Sequence, residues 1–304
     1  MSSILVKTVR SSTQTMIDRA IELLKDDHPW TLRGLHYQFV NHWPDDYPNV
    51  RGSYQKLSRA MMIAREQGWL PWNWLVDNVR QTLKLSSWSG LEDYAEAVRD
   101  CYRKNLWSRQ AAYVEVFCEK DAMAAVLQLV TQKYDVPLNV IRGFTSGTFA
   151  YTVAQQWKRI NKPTFAFYLG DWDPSGLDLE RDLREKIARY SGMKNIDDRG
   201  RDGYVRTGEF QWVRLGVTAD DFDQFELPPL WAKKTDKRAK AFEANHGGHC
   251  AELDAIPTHS LRERLENQIT SLIDQHEWDR LKAVEQAEKE TLNTFLDALK
   301  GAAA

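Results

Sequence analysis

The sequence predicts an α/β protein: an N-terminal helical domain, then a mostly parallel sheet flanked by helices, then a helical C-terminal extension. Three observations predict it. Apolar residues recur at helical spacing in the first third of the chain. From Tyr113 onward, short β-rich runs alternate with helical stretches, the pattern of a doubly wound sheet. From His259 the chain reads as one long charged helical region.

Residues 12–27 carry Met16, Ile17, Ala20, Ile21, Leu23 and Leu24, an apolar stripe that predicts a helix broken by His28-Pro29-Trp30. Thr31 suits the N-cap of a second helix over 32–43. After a polar loop over 44–52, Ser53 is placed to cap a third helix over 54–67, ended by Gly68. Residues 70–76 (LPWNWLV) suit a strand or turn. Three helices and a small ribbon resemble a winged helix; an all-helical cap is the alternative. Residues 85–110 read as a connecting helical segment. Strands follow over 113–118, 138–142 and 164–169, alternating with helices over 122–134, 148–160 and 176–190. Residues 209–217 predict a further strand, and Thr218-Ala219-Asp220-Asp221 a helix start. The apolar stripe of the last region is Leu261, Leu265, Ile269, Leu272 and Ile273. The domains are therefore 1–84, a linker over 85–110, 111–230 and 231–304.

Composition narrows the class. The chain has 304 residues, enough for two domains. Its mean hydropathy is −0.56, and no apolar run nears the ~20 residues of a membrane helix. Residues 1–10 show no secretory signal, so a cytoplasmic, DNA-associated location and no membrane partner are expected. Cys101, Cys118 and Cys250 are far apart in sequence, which excludes a disulfide framework. His246-Gly247-Gly248-His249-Cys250 lacks the second Cys/His pair that would complete a zinc site and reads as a glycine-rich loop. Net charge is −2, so any nucleic-acid contact must be local. Residues 1–110 hold 15 Lys and Arg against 12 Asp and Glu, which favours the N-terminal region for it.

Glu119 follows the first strand of the alternating region, and Asp171-Trp172-Asp173 follows the third. In a parallel sheet, residues just past the strand C-termini meet at one edge. Asp171 and Asp173 lie two apart, so in extended backbone they face one way. Crowded carboxylates repel, and a divalent cation relieves the repulsion. All-oxygen donors suit Mg²⁺ or Mn²⁺. Glu119, Asp171 and Asp173 are the candidate metal ligands.

Val116-Phe117-Cys118-Glu119-Lys120-Asp121-Ala122, followed by Gly170-Asp171-Trp172-Asp173-Pro174-Ser175-Gly176, resembles the Toprim domain of topoisomerases, primases and related nucleases. The nearest flavour is the topoisomerase VI A subunit with its meiotic break-forming relatives, in particular the compact stand-alone group called Mini-A. Ala251-Glu252-Leu253-Asp254-Ala255-Ile256-Pro257 is similar to an acidic segment that follows Toprim in that family. Arg142-Gly143-Phe144-Thr145-Ser146-Gly147-Thr148 sits where the family has a glycine turn, and reads as a connecting turn rather than a phosphate cradle.

Arg33-Gly34-Leu35-His36-Tyr37 resembles the family's Arg-x-x-aromatic-Tyr motif, with His36 in place of the aromatic. On a helical wheel Leu32, Leu35, Phe39 and Val40 share the core face. Arg33 and Tyr37, at i and i+4, are neighbours on its flank. A cation beside a phenol favours phenolate and can hold a phosphate. Tyr37 is then the candidate nucleophile, Arg33 a catalytic and DNA-binding residue, and Glu119 a ligand or acid/base. His36 is read either as an aid to proton transfer or as a packing histidine. Lys56, Arg59 and Arg65 on the third helix are candidate phosphate contacts, with a solvated basic face as the alternative.

The resemblance implies a homodimer that clasps double-stranded DNA, with Tyr37 of one protomer facing the metal residues of the other. It implies a 5′-phosphotyrosyl link and a double-strand break or a change of topology. About thirty residues precede Arg33, and no GxxxxGK[ST] motif occurs, so neither an ATPase of its own nor an ATPase B subunit is expected. The rivals are a hydrolytic Toprim nuclease sharing the metal residues, and a non-catalytic DNA-binding protein with a relic site.

Overall fold

A computed structural model describes residues 9–76, 86–141, 143, 145–196, 204–228, 230–233 and 235–303. The chain runs α1 (Ser11–Leu24), β1 (Trp30–Thr31), α2 (Leu32–His42), α3 (Arg51–Glu66), β2 (Leu75–Val76), α4 (Leu91–Cys101), β3 (Tyr113–Cys118), α5 (Asp121–Lys133), β4 (Leu138–Val140), α6 (Gly147–Ile160) and β5 (Thr164–Leu169). It continues α7 (Pro174–Ser191), β6 (Lys194–Ile196), β7 (Glu209–Arg214), α8 (Asp221–Gln224), β8 (Leu230–Trp231), α9 (Ala239–His246), β9 (His249–Cys250), α10 (Thr258–Thr270) and α11 (Gln275–Ala303).

Five strands pair in the order β4-β3-β5-β7-β6, all parallel. Side chains alternate across it with period two. Val114, Val116, Phe167 and Leu169 face one way, against Met123, Val126 and Leu127 of α5 and Leu261, Leu265 and Ile269 of α10. Phe117, Tyr168, Phe210 and Trp212 face the other way, against Val153 and Trp157 of α6 and Leu183 and Ile187 of α7. This is an α/β protein with helices on both faces of a parallel sheet. No described helix is long and apolar enough to cross a membrane.

α1, α2 and α3 form an N-terminal helical region with a core of its own, built on Ile17, Leu24, Leu35, Phe39 and Leu57. Thr31 caps α2 as expected, accepting from the Gly34 N–H at 2.8 Å. The Ser53 expectation fails. α3 begins at Arg51, after the extended Val50, and Ser53 is buried inside the helix. The small ribbon is a two-residue parallel pairing of β1 with β2, and no antiparallel hairpin occurs among the described residues of this region. Residues 77–85, part of the predicted domain boundary, lie outside the described residues, as do Arg142 and Phe144 of the glycine turn.

The edge strand β6 was not legible in the sequence, and the charged C-terminal region is helical as expected, in two helices, α10 and α11. The break falls at residues 271–274, where Asp274 Oδ1 accepts from the His276 and Glu277 N–H groups at 3.0 and 3.1 Å and starts α11 afresh.

Candidate active site

β3 and β5 end side by side, so Glu119 and Asp171 leave the sheet at the same edge. Glu119 N–H still pairs with the Leu169 carbonyl at 2.9 Å, and the Glu119 Oε2 accepts from the Asp171 N–H at 3.0 Å. The approach is tight enough to need glycine. A Cβ at Gly170 would meet Glu119 Oε2 at 2.7 Å, and one at Gly216 would meet the Gly170 backbone at 2.4 Å. We expect Gly216→Ala to cost about 1–3 kcal/mol or more by overpacking, read as a lower denaturation midpoint; an unchanged midpoint would show that the loop gives way freely.

Arg214, which the sequence did not single out, pins this edge. It donates to the carbonyls of Asp171 at 2.6 Å, Val217 at 2.7 Å and Gly170 at 3.1 Å, and pairs with Glu180. Asp173 caps α7, accepting from the Gly176 N–H at 2.7 Å.

Trp172 forms an antiparallel bridge with Ala251, with N–H···O distances of 2.8 and 3.0 Å. That bridge lays the segment 251–254 across the sheet edge. Asp171 Oδ1 accepts from the Leu253 N–H at 2.7 Å, and Glu252 and Asp254 come alongside. Lys120 fills the space between them. Its Nζ lies 3.0 Å from Asp171, 3.0 Å from Glu252 and 2.9 Å from Asp254. Burial alone would lower the Lys120 ammonium, but Asp254, Asp171 and Glu252 together hold it well above its ordinary value. Lys120, Glu252 and Asp254 lay inside the motifs quoted above without a role. A Glu-Lys-Asp run directly after a strand was the available signal.

Burial, then Asp171, pushes the Glu119 carboxyl up to about 7, with a smaller push from Asp173. Burial also raises Asp171 despite the adjacent Lys120, whose charge is shared among three carboxylates. Glu252 goes the other way: its burial is outweighed by Lys120 and Arg33.

A carboxyl raised on folding keeps its proton where the unfolded chain has lost it. Its stabilisation is complete below about 4.5, declines as pH rises toward about 7, and is gone above that. Without divalent ions, the melting temperature of wild type is expected to fall relative to Glu119→Gln across that interval. A constant difference between the two would contradict the assignment.

The Arg33–Tyr37 pair meets the same cluster from the N-terminal side. α2 packs on the turn Leu253–Ala255, and Thr31 Oγ1 donates to Asp254 Oδ1 at 2.5 Å. Arg33 pairs with Glu252 and lies 3.4 Å from the Tyr37 hydroxyl. An ionic path therefore runs Tyr37–Arg33–Glu252–Lys120–Asp171 within one chain.

Two expectations are corrected here. Tyr37 is not on a solvent-facing flank. It is 1% exposed and its ring fills the core shared with Val114 and Met123 rather than that of its own helical module. Nor is its hydroxyl shifted toward phenolate. Burial and Glu252 outweigh Arg33 and push it up to about 12. His36 is the packing histidine: it is 3% exposed, held by the Tyr47 hydroxyl at 2.8 Å and by Asn49 Oδ1 at 3.1 Å, and lowered by burial.

Lys56 and Arg59 are remote from this cluster. They line an open groove of about 910 Å³ between α1 and α3, together with Arg10 and Arg19. Arg65 faces its own chain, donating to the carbonyls of Trp72 at 3.1 Å and of Leu75, with its guanidinium over the Trp72 ring.

The donor set fits a hard divalent cation in its chemistry. Glu119 and Asp171 are all-oxygen donors, half-buried and adjacent, both raised by desolvation and Glu119 also by Asp171. Among the described residues no three His, Cys, Asp or Glu side chains close on one point. The stretch read as a glycine-rich loop is a turn only at Gly247 and Gly248: His246 ends α9, and His249 and Cys250 form β9. No family model and no curated protein matches the chain.

Proposed function

We propose that this chain is a metal-dependent DNA-cleaving transesterase, built from a winged-helix-like module and a Toprim-like domain and similar to the topoisomerase VI A subunit. It acts as a homodimer on double-stranded DNA. One observation carries the reading. A phenol–guanidinium pair on a separate helical module reaches, through one line of ion pairs, the Asp171 carboxylate, which stands beside Glu119 at the C-terminal edge of a parallel sheet.

Arg33 steadies the scissile phosphate, and Tyr37 Oη gives its proton to solvent and forms a bond to the phosphorus as the 3′-oxygen leaves. Glu119, which keeps a proton near neutrality, supplies it to that leaving oxygen. Asp171 and Asp173, joined by Glu119 once it has given up its proton, would hold Mg²⁺ or Mn²⁺, which would stabilise the charge growing on the phosphoryl group. Lys56 and Arg59, in their basic groove, hold the duplex backbone at a distance from the cut. The product is a 5′-phosphotyrosyl link and a free 3′-hydroxyl. Two such events give a double-strand break that the reverse reaction reseals.

The burial of Tyr37 and its raised hydroxyl favour a second reading, hydrolysis, in which water replaces the phenol as nucleophile. Supercoiled plasmid incubated with Mg²⁺ or Mn²⁺ separates the two. Transesterification gives nicked or linear DNA that migrates freely only after protease digestion. Hydrolysis gives free ends without digestion. Unaltered plasmid with either metal would overturn both.

A further inference from the structure

We propose that the Glu252 carboxylate occupies, in the DNA-free protein, the place that a backbone phosphate takes when DNA binds. The inference rests on the DNA-cleaving reading and deepens it. One oxygen of Glu252 meets Arg33, and the other meets Lys120 at 3.0 Å. An anion whose two oxygens each meet a cation is the arrangement a phosphodiester offers through its two non-bridging oxygens. The site opens outward at this point: the Arg33 side chain is 44% exposed and that of Glu252 27%.

The two cations are left in order when Glu252 departs. Lys120 keeps Asp171 and Asp254, and the Arg33 guanidinium keeps its place over the Tyr37 and Tyr54 rings, at 5.5 and 5.8 Å from their centroids. The clamp of α2 on the 253–255 turn survives as well, because the Thr31–Asp254 hydrogen bond supplies it. Glu252 is thus the one member of the cluster that leaves without stranding a partner. A carboxylate in the phosphate's place raises the threshold for binding and confines it to a backbone able to displace the carboxylate.

Fluorescence anisotropy of a labelled DNA duplex, with Ca²⁺ present, tests this on the full-length protein. Glu252→Gln is expected to bind at least about five-fold more tightly than wild type at fixed salt. Its log–log salt slope should steepen by about one, the equivalent of one added phosphate contact. The gain should vanish when Arg33→Ala is also present, because the freed guanidinium is what receives the phosphate. Glu252→Asp, which withdraws the carboxylate by one methylene, should give an intermediate gain and serves if the glutamine variant fails to fold. Equal or weaker binding by a folded Glu252→Gln overturns the inference. So does a gain that persists in the Arg33→Ala background, which is general electrostatics. Wild type that binds no duplex overturns the DNA-cleaving reading itself, a result distinct from either.

Discussion

Tyr37→Phe is expected to abolish covalent protein–DNA adducts and to lower plasmid cleavage by at least about 10³-fold, the scale of losing a nucleophile outright. The variant removes one oxygen that accepts a long hydrogen bond from Arg33 at 3.4 Å, so the fold should lose no more than about 1 kcal/mol. That separation between activity and stability makes the experiment decisive. Equal cleavage by wild type and variant would establish hydrolysis. The same variant tests the pairing of protomers. The resemblance has Tyr37 serving its partner's carboxylates, whereas the ionic path in the single chain runs to its own. Mixed dimers of Tyr37→Phe with Asp171→Asn hold one intact pair only if the tyrosine crosses over, and nicking should reappear in the mixture. Continued inactivity would assign attack within one chain.

Lys120→Met is expected to cost about 3–5 kcal/mol in the absence of divalent ions. The ammonium answers Asp171, Glu252 and Asp254 at 2.9–3.0 Å, and the Asp254 side chain is only 3% exposed. Removing it leaves Asp171 and Asp254 without their ammonium partner and Glu252 with Arg33 alone, in a poorly solvated edge close to a fourth carboxylate, Glu119. Mg²⁺ should then recover a substantial part of the loss in the variant and much less in wild type, read by chemical denaturation with and without the ion. A loss under about 1 kcal/mol would mean that the segment 251–254 lifts away and lets water in.

The sheet was legible where its strands are fully buried. Residues 113–118 and 164–169 match β3 and β5 to the residue, because strands covered on both faces are written as unbroken β-rich runs. β6 was not, since three residues at a sheet edge, with Lys194 exposed, carry no such run. The α3 start was misplaced because a serine after a loop resembles a cap even when the preceding extended valine already ends the loop. The break before α11 escaped because Leu272 and Ile273 continue the apolar stripe while Asp274 restarts the helix. Among site residues, Glu119 and Asp171 were legible from strand-end position alone. Lys120, Glu252 and Asp254 owe their roles to a single antiparallel bridge at Trp172, and no sequence pattern encodes a two-residue crossing between segments eighty positions apart. Tyr37 was read as half of a flank pair, because a helical wheel shows one helix and not the second layer pressed against it.

That second layer has a further consequence. To leave the sheet domain's interior, the Tyr37 ring must give up about 1.5–3 kcal/mol of apolar burial, as well as its link to Arg33. The outward state would then hold on the order of one molecule in thirty or fewer. Under the proposed function, a phenol that cuts only while unlatched would make breaks rare without any inhibitor, and hydrogen exchange along α2 would time how often the latch lifts.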